Sequence, residues 1–269
     1  MEPLTGGDER TADAQSRVII VVPTLGKRPE LLNLTLQSLA DQPDEPADVV
    51  VVVPAEATEA RAIASASGAR LVDDPGGMTA AINVGFALAE PRHLYGNWIG
   101  DDDLLAPGAL AAAAKALDGD SAAVVAFGHC DYIDSDGGRL FTSKAGRLAP
   151  WLMTWGPDLV PQPGALFRLA ALRQVGLLDP SLSFAMDLDL LLRLRSKGRF
   201  VNTGTTLASF RWHPESTTVA NRARSLAEAE QVKRRYLSPT QRRLAPLWER
   251  PVRLATRLAA RRVGRLTPR

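Results

Sequence analysis

Residues 18–54 read VIIVVPTLGKRPELLNLTLQSLADQPDEPADVVVVVP, and this stretch decides the fold. Val18 to Val22 is a β-branched run stopped by Pro23, and Val49 to Val53 is a second stopped by Pro54. Apolar runs without polar alternation are strands buried on both faces, which requires helices above and below the sheet. Between them, Pro29 to Leu39 sets Leu31, Leu32, Leu34, Leu36 and Leu39 mostly on one helical face, with Pro29 suited to the helix start. Strand, helix, strand is the repeating unit of a parallel α/β sheet.

The unit repeats along the chain. Thr58 to Ser67 is alanine-rich and helical, Ala69 to Val72 is a short strand, Met78 to Ala89 is a helix, and Asn97 to Ile99 leans towards strand. The pattern predicts an α/β fold: a Rossmann-like, mostly parallel sheet flanked by helices, with ligands at the carboxyl ends of its strands. Beyond Asp103 the order loosens. A helix at Ala109 to Leu117, a strand at Ala122 to Phe127 and a hairpin through Asp134 to Gly138 predict a mixed sheet there. From Asn221 onward the chain reads as basic helix broken at Pro239, Pro246 and Pro251.

The chain has 269 residues, enough for one large α/β domain with a short appendage. At 45% hydrophobic and 23% charged, its composition is that of a globular protein and excludes disordered and fibrous classes. The single cysteine, Cys130, allows no intramolecular disulfide and no cysteine zinc cage, which favours a reducing, cytoplasmic setting. Met1 to Ser16 is polar and acidic, without the basic start and apolar run of a secretory signal, and reads as a disordered leader. No stretch approaches the roughly 18 uninterrupted apolar residues of a membrane span, so a membrane would be met from the side. The net charge of +2 hides an asymmetry, because residues from Asn221 onward carry +11 and the remainder −9. That basic tail suits the anionic inner face of a cell membrane, or is a solvated helix. Its aromatics, Tyr236 and Trp248, are too few for a stacking surface, which argues against nucleic acid.

Three clusters could carry chemistry. Asp101, Asp102 and Asp103 follow the short apolar segment Trp98-Ile99-Gly100, at a strand's carboxyl end. Adjacent carboxylates repel unless a cation neutralises them, and hard oxygen donors suit Mg²⁺ or Mn²⁺, which also bind a diphosphate. Alternatively, the acids cap the helix that begins near Pro107. Asp187 and Asp189 stand ahead of Leu190, Leu191 and Leu194, either as ordinary helix-start acids or as a general base for an acceptor hydroxyl. Phe210-Arg211-Trp212-His213 combines a cation, an aromatic and an imidazole: His213 is a candidate for metal or diphosphate, and Arg211 for phosphate.

The order of these clusters resembles family 2 glycosyltransferases of the GT-A type, over about Val18 to Thr218. Val21-Val22-Pro23-Thr24 resembles the family's first strand, and Arg28-Pro-Glu-Leu-Leu its first helix. Gly77 to Gly85, including Asn83, resembles the lead into the metal site, and Gly100-Asp101-Asp102-Asp103 the DXD region. Gln162-Pro163-Gly164 resembles the acceptor side and Met186-Asp187-Leu188-Asp189 the catalytic-base motif. The resemblance implies an inverting, metal-dependent transfer in cell-surface glycan or glycolipid synthesis, from a nucleotide-diphosphate sugar to a glycan or lipid-linked acceptor. It implies Asp187 as base and Asp101, Asp102, Asp103 and His213 around Mn²⁺ or Mg²⁺. Pro23, Thr24, Arg28, Gly77, Asn83, Asp101 and Arg211 then face the donor, and Gln162, Pro163, Gly164, Asp189 and Trp212 the acceptor. Two departures stand out. Pro54-Ala55-Glu56 replaces the usual acids for the nucleobase, leaving Asp73 and Asp74 to supply that donor contact, and Gly100 stands where the first metal-motif acid often does. The implied division is a leader to residue 16, a glycosyltransferase domain over 17–220 with its donor half to about 105, and a basic helical tail over 221–269. A nucleotidyltransferase would want a richer phosphate loop than Leu25-Gly26-Lys27-Arg28, and a non-catalytic sugar-nucleotide or glycan-binding protein would bind without turnover.

Overall fold

A computed structural model of the chain describes residues 16–144, 146–212 and 221–254. Its first half alternates as expected: β1 (Val18–Pro23), α1 (Pro29–Ala40), β2 (Ala47–Val53), α2 (Thr58–Ala66), β3 (Arg70–Asp73), α3 (Met78–Ala87) and β4 (Tyr95–Trp98). The second half contains β5 (Leu104–Leu105), α4 (Ala109–Asp118), β6 (Ala123–Ile133), β7 (Arg139–Ser143), α5 (Ala149–Leu152), β8 (Ala165–Arg168), α6 (Leu169–Val175), α7 (Met186–Leu194) and β9 (Arg199–Arg211). Two basic helices follow, α8 (Arg222–Arg235) and α9 (Pro239–Leu244).

Among the described residues, one sheet carries all nine strands, in the order β3-β2-β1-β4-β8-β6-β9-β5, with β7 paired to the far half of β6. Strands β1 to β4 are mutually parallel, and β6 and β9 are parallel to each other. β8 runs antiparallel between β4 and β6. The residues preceding β8 therefore reach the same sheet edge as the residues following β1, β4, β6 and β9, and that edge holds the functional site.

Alternation in the valine-rich strands divides the core in two, since successive side chains point to opposite faces. Ile19, Val21, Val50 and Val52 pack with Ile82 and Phe86 of α3 and the leucines of α7. Val18, Ile20, Val22, Val51 and Val53 pack with Leu32, Leu36 and Leu39 of α1 and the alanines of α4. Both faces are covered, as the unbroken apolar runs require. Ser16 belongs to this body rather than to a leader, because it is buried and its hydroxyl donates to the carbonyls of Val18 and Pro46 at 2.8 Å. The rest of the expected leader, residues 1–15, lies outside the described residues.

The expected strand ending at Phe127 continues to Ile133, because β6 leaves β8 near Gly128 and takes up β7. Only glycine fits at that bend: a Cβ on Gly128 would stand 2.4 Å from the Thr205 carbonyl oxygen. The expected hairpin is the β6–β7 connection, closed by the Asp134 amide donating to the Gly138 carbonyl at 2.9 Å.

Candidate active site

The main cleft is a cavity of about 420 Å³ at the carboxyl edge of the sheet. Pro23 closes β1 there, Gly100 to Asp103 follow β4, Cys130 and Tyr132 come from β6, and Phe210, Arg211 and Trp212 end β9. Gln162 and Pro163 arrive from the antiparallel side, and Met186 and Asp187 from the start of α7. The acidic triplet and Asp187, 84 positions or more apart in the chain, thus line one cavity.

The triplet is held from three elements. The Thr24 hydroxyl donates to Asp101 Oδ2 at 2.5 Å, and the Thr24 amide donates to the Val52 carbonyl, fixing the end of β1. Arg28 spans the pair, donating from Nη2 to Asp101 Oδ1 at 2.7 Å and from Nη1 to Asp102 Oδ2 at 2.6 Å. Burial works against the Arg28 charge, but Asp101 and Asp102 outweigh it and hold the guanidinium above its ordinary pKa. Asp103 accepts the Arg211 amide at 2.9 Å, and its own carbonyl takes the Thr35 hydroxyl of α1. Burial raises the pKa of both Asp101 and Asp103, and for Asp103 the neighbouring Asp102 charge adds to the effect.

Among the described residues, no three His, Cys, Asp or Glu side chains form a metal cage. The three carboxylates at the cavity wall are nonetheless oxygen donors of the kind a hard divalent ion takes in a site shared with a ligand, with Asp101 and Asp102 paired to Arg28 and Asp103 accepting the Arg211 amide. Mg²⁺ is commonly bound by one or two carboxylates together with ligand phosphates. His213, the expected fourth ligand, lies outside the described residues.

Asp187 is half-buried in the cavity wall, and burial raises its pKa against the Leu188 N–H that it accepts at 2.7 Å. Beside it stands Asp158, whose carboxyl is pushed up to about 7 first by loss of water around it and then by the Asp187 charge, with the Val160 amide and Lys233 opposing.

Several expected site residues serve the scaffold instead. Arg211 is buried, and its guanidinium donates to the carbonyls of Asp102, Asp134 and Ser135, clamping the triplet to the β6–β7 turn. Asn83 clamps the loop before α7 by pairing with both the amide and the carbonyl of Leu178. Gln162 lines the cavity while donating to Asn97 and to the Trp98 carbonyl. Thr24 stands behind Asp101, and Gly164 lies under β6 against the His129 carbonyl. Asp73 pairs with Arg61, Asp74 accepts the Gly76 amide, and Gly77 caps α3; none of the three lines the cavity. Asp189 points away from it, accepting Arg193 Nε at 2.7 Å and the Tyr236 hydroxyl at 3.0 Å. Trp212 does face the cavity, beside Tyr132, which stacks on Phe141. Sequence reasoning missed Tyr132 and Asp158, for which no motif or spacing gives a signal.

The sequence profile of glycosyl transferase family 2 matches residues 19–174. No curated protein sequence matches the chain. Among solved structures, S. aureus TarS is similar at 17% identity and TM-score 0.57, over 85% of this chain and 43% of that one. The chain thus spans less than half of TarS. A structure of TarS 1-349 in complex with UDP is similar at 18% identity and TM-score 0.57, over 81% and 69%. The mannosyltransferase PcManGT from Pyrobaculum calidifontis, in complex with GDP-Man and Mn²⁺, is similar at 17% identity and TM-score 0.63, over 91% and 74%. At these identities the likeness is one of fold.

Proposed function

The chain belongs to glycosyl transferase family 2 and is a glycosyltransferase of GT-A fold; on that premise we propose that it moves a sugar from a nucleotide-diphosphate sugar to an acceptor hydroxyl, with inversion. The observation that carries this reading is that the acidic triplet and Asp187 line the same 420 Å³ cavity. Complexes of the similar structures with UDP and with GDP-Man and Mn²⁺ support a nucleotide-diphosphate donor.

Asp187 has the attributes of a general base. Its raised proton affinity makes it a better acceptor than a surface carboxylate, and it lines the cavity where an acceptor hydroxyl would enter. Asp102, with Asp101 or Asp103, would hold Mn²⁺ or Mg²⁺, which when bound stabilises charge on a departing diphosphate. Arg28 orients the Asp101 and Asp102 carboxylates, and Arg211 fixes the backbone that carries them.

The acceptor side, bounded by Trp212, Tyr132 and Phe184, is aromatic and suits a sugar face or a lipid-linked glycan of the cell surface. Among the described residues no helix is long and apolar enough to cross a membrane. Exposed Leu247 and Leu254 beside Arg250 support contact with an anionic membrane face.

Calorimetric titration of nucleoside diphosphates and sugar nucleotides, with and without Mn²⁺, tests the donor site. Metal-dependent binding that is lost in Asp102→Ala is the expected result. Absence of binding by any member of the panel would sink the assignment.

A further inference from the structure

Helix α7, which presents Asp187, has no cap of its own. Its N-cap residue is Ala185, whose side chain cannot accept a hydrogen bond; inside the first turn Asp187 accepts the Leu188 amide, and the amides leading into the helix need an acceptor from elsewhere. The acceptor comes from α8. Glu228 Oε1 accepts the amides of Ser183 at 3.0 Å, Phe184 at 2.7 Å and Ala185 at 2.8 Å. One carboxylate oxygen thereby fixes three consecutive peptide units, and Asp187 follows two residues later.

Helix α8 is docked firmly enough to do this. Val232 is fully buried in the core cluster that contains the α7 leucines, with Ala229 packed against it. Lys233 donates to the Gly156 carbonyl, the Tyr236 hydroxyl to Asp189, and Arg235 pairs with Asp179. The basic stretch expected as an appendage is, in its first helix, a wall of the domain.

We propose that Glu228 is a positioning residue for the reaction: by holding residues 183–185 it aims the Asp187 carboxylate into the cavity. The proposal rests on Asp187 serving as the base. The groups that face Asp187 from its neighbours are Glu228 on α8 and Asp158 on the loop after α5, with Lys233 set against Asp158. Burial is the largest cause of the raised Asp187 proton affinity, the Leu188 amide opposes it, and the Glu228 charge adds to it. Glu228 thus acts on both the direction and the basicity of Asp187.

The test uses the full chain and two substitutions. Glu228→Gln keeps an oxygen acceptor for the three amides but removes the charge, whereas Glu228→Ala removes both. Carboxyl ¹³C NMR titration, with the Asp187 resonance assigned by its loss in Asp187→Asn, reads basicity without any substrate. Nucleoside diphosphate release from the sugar nucleotide that binds in calorimetry reads turnover, with each variant assayed well below its own Tm. The expected result is a lower Asp187 pKa in both variants. Turnover should be close to wild type in Glu228→Gln at high pH and about 100-fold lower in Glu228→Ala, with donor affinity unchanged, because a misaimed base costs about that factor. An unmoved Asp187 titration in both variants would overturn the proposal, as would full turnover by Glu228→Ala where Asp187→Asn is inactive. Turnover retained by Asp187→Asn would instead remove the base assignment itself, so the two failures are distinguishable.

Discussion

Arg28 sits between Asp101 and Asp102 at 2.7 and 2.6 Å, so its guanidinium balances charge on both carboxylates. Elsewhere in the cavity wall, the Asp187 charge adds to the raised proton affinity of Asp158. Replacing Asp187 with Asn is expected to lower kcat by about 10²- to 10⁴-fold while leaving donor affinity within error; steady-state kinetics with calorimetry checks this, and lost donor binding would assign Asp187 to the scaffold instead. Because a protonated carboxyl cannot accept a proton, the proposed role of Asp187 as base predicts a wild-type rate that falls as pH drops through its raised pKa. The acid limb of kcat/KM should therefore lie above the ordinary carboxylate range. The placement of the triplet after a strand and of Asp187 at a helix start was legible in the sequence, because acids at strand and helix ends carry positional meaning. Asp189, Asn83 and Asp73 occupied equally suggestive positions, yet their side chains are committed to Arg193 and Tyr236, to Leu178 and to Arg61. Glu228 carried no signal, since its partners lie 43 to 45 residues away.

Elements were legible where a repeating pattern met a double-sided burial requirement. The valine runs became β1 and β2 within a residue or two of their expected bounds, and α1 starts at Pro29 as the proline suggests. β6 extends past its apolar first half because its second half pairs with β7, a pairing that depends on the hairpin rather than on hydrophobicity. α3 approaches β1 closely through Gly85, where an added Cβ would stand 2.4 Å from Val21 Cγ1 and 2.7 Å from Cγ2. Val21 is β-branched and fully buried, so it has little room to turn. Gly85→Ala gains about 1 kcal/mol of helix propensity, but overpacking of this kind costs about 1–3 kcal/mol. The expected outcome is a lower urea midpoint at unchanged m; a raised midpoint would show that α3 can shift away from the sheet.

At the scale of the whole molecule, the site sets the stability profile. Asp101 and Asp103 have folded-state pKa values above their unfolded ones, so the native state holds protons that the unfolded chain has released. Their contribution therefore favours folding at mildly acidic pH and declines as pH rises from the ordinary carboxylate range near 4 through the raised values. Asp118, Asp120 and Asp179, with lowered pKa values, work in the opposite sense and are common to any comparison of variants. Asp103→Asn, which keeps an oxygen for the Arg211 amide, should raise Tm near neutrality and flatten its dependence on pH. Thermal denaturation from pH 5 to 8 checks this, and superposable wild-type and variant curves would contradict it. The sequence by itself determined the alternation of strands and helices, the burial of both sheet faces and the acids at the strand ends, because each follows from local periodicity and side-chain chemistry. Tertiary structure alone decided which polar groups face the cavity and which brace it, made Asp158 and Asp187 neighbours, and brought Glu228 to the start of α7. Those outcomes depend on which segments meet in space, and a contact between residues far apart in the chain leaves no periodic trace in either segment.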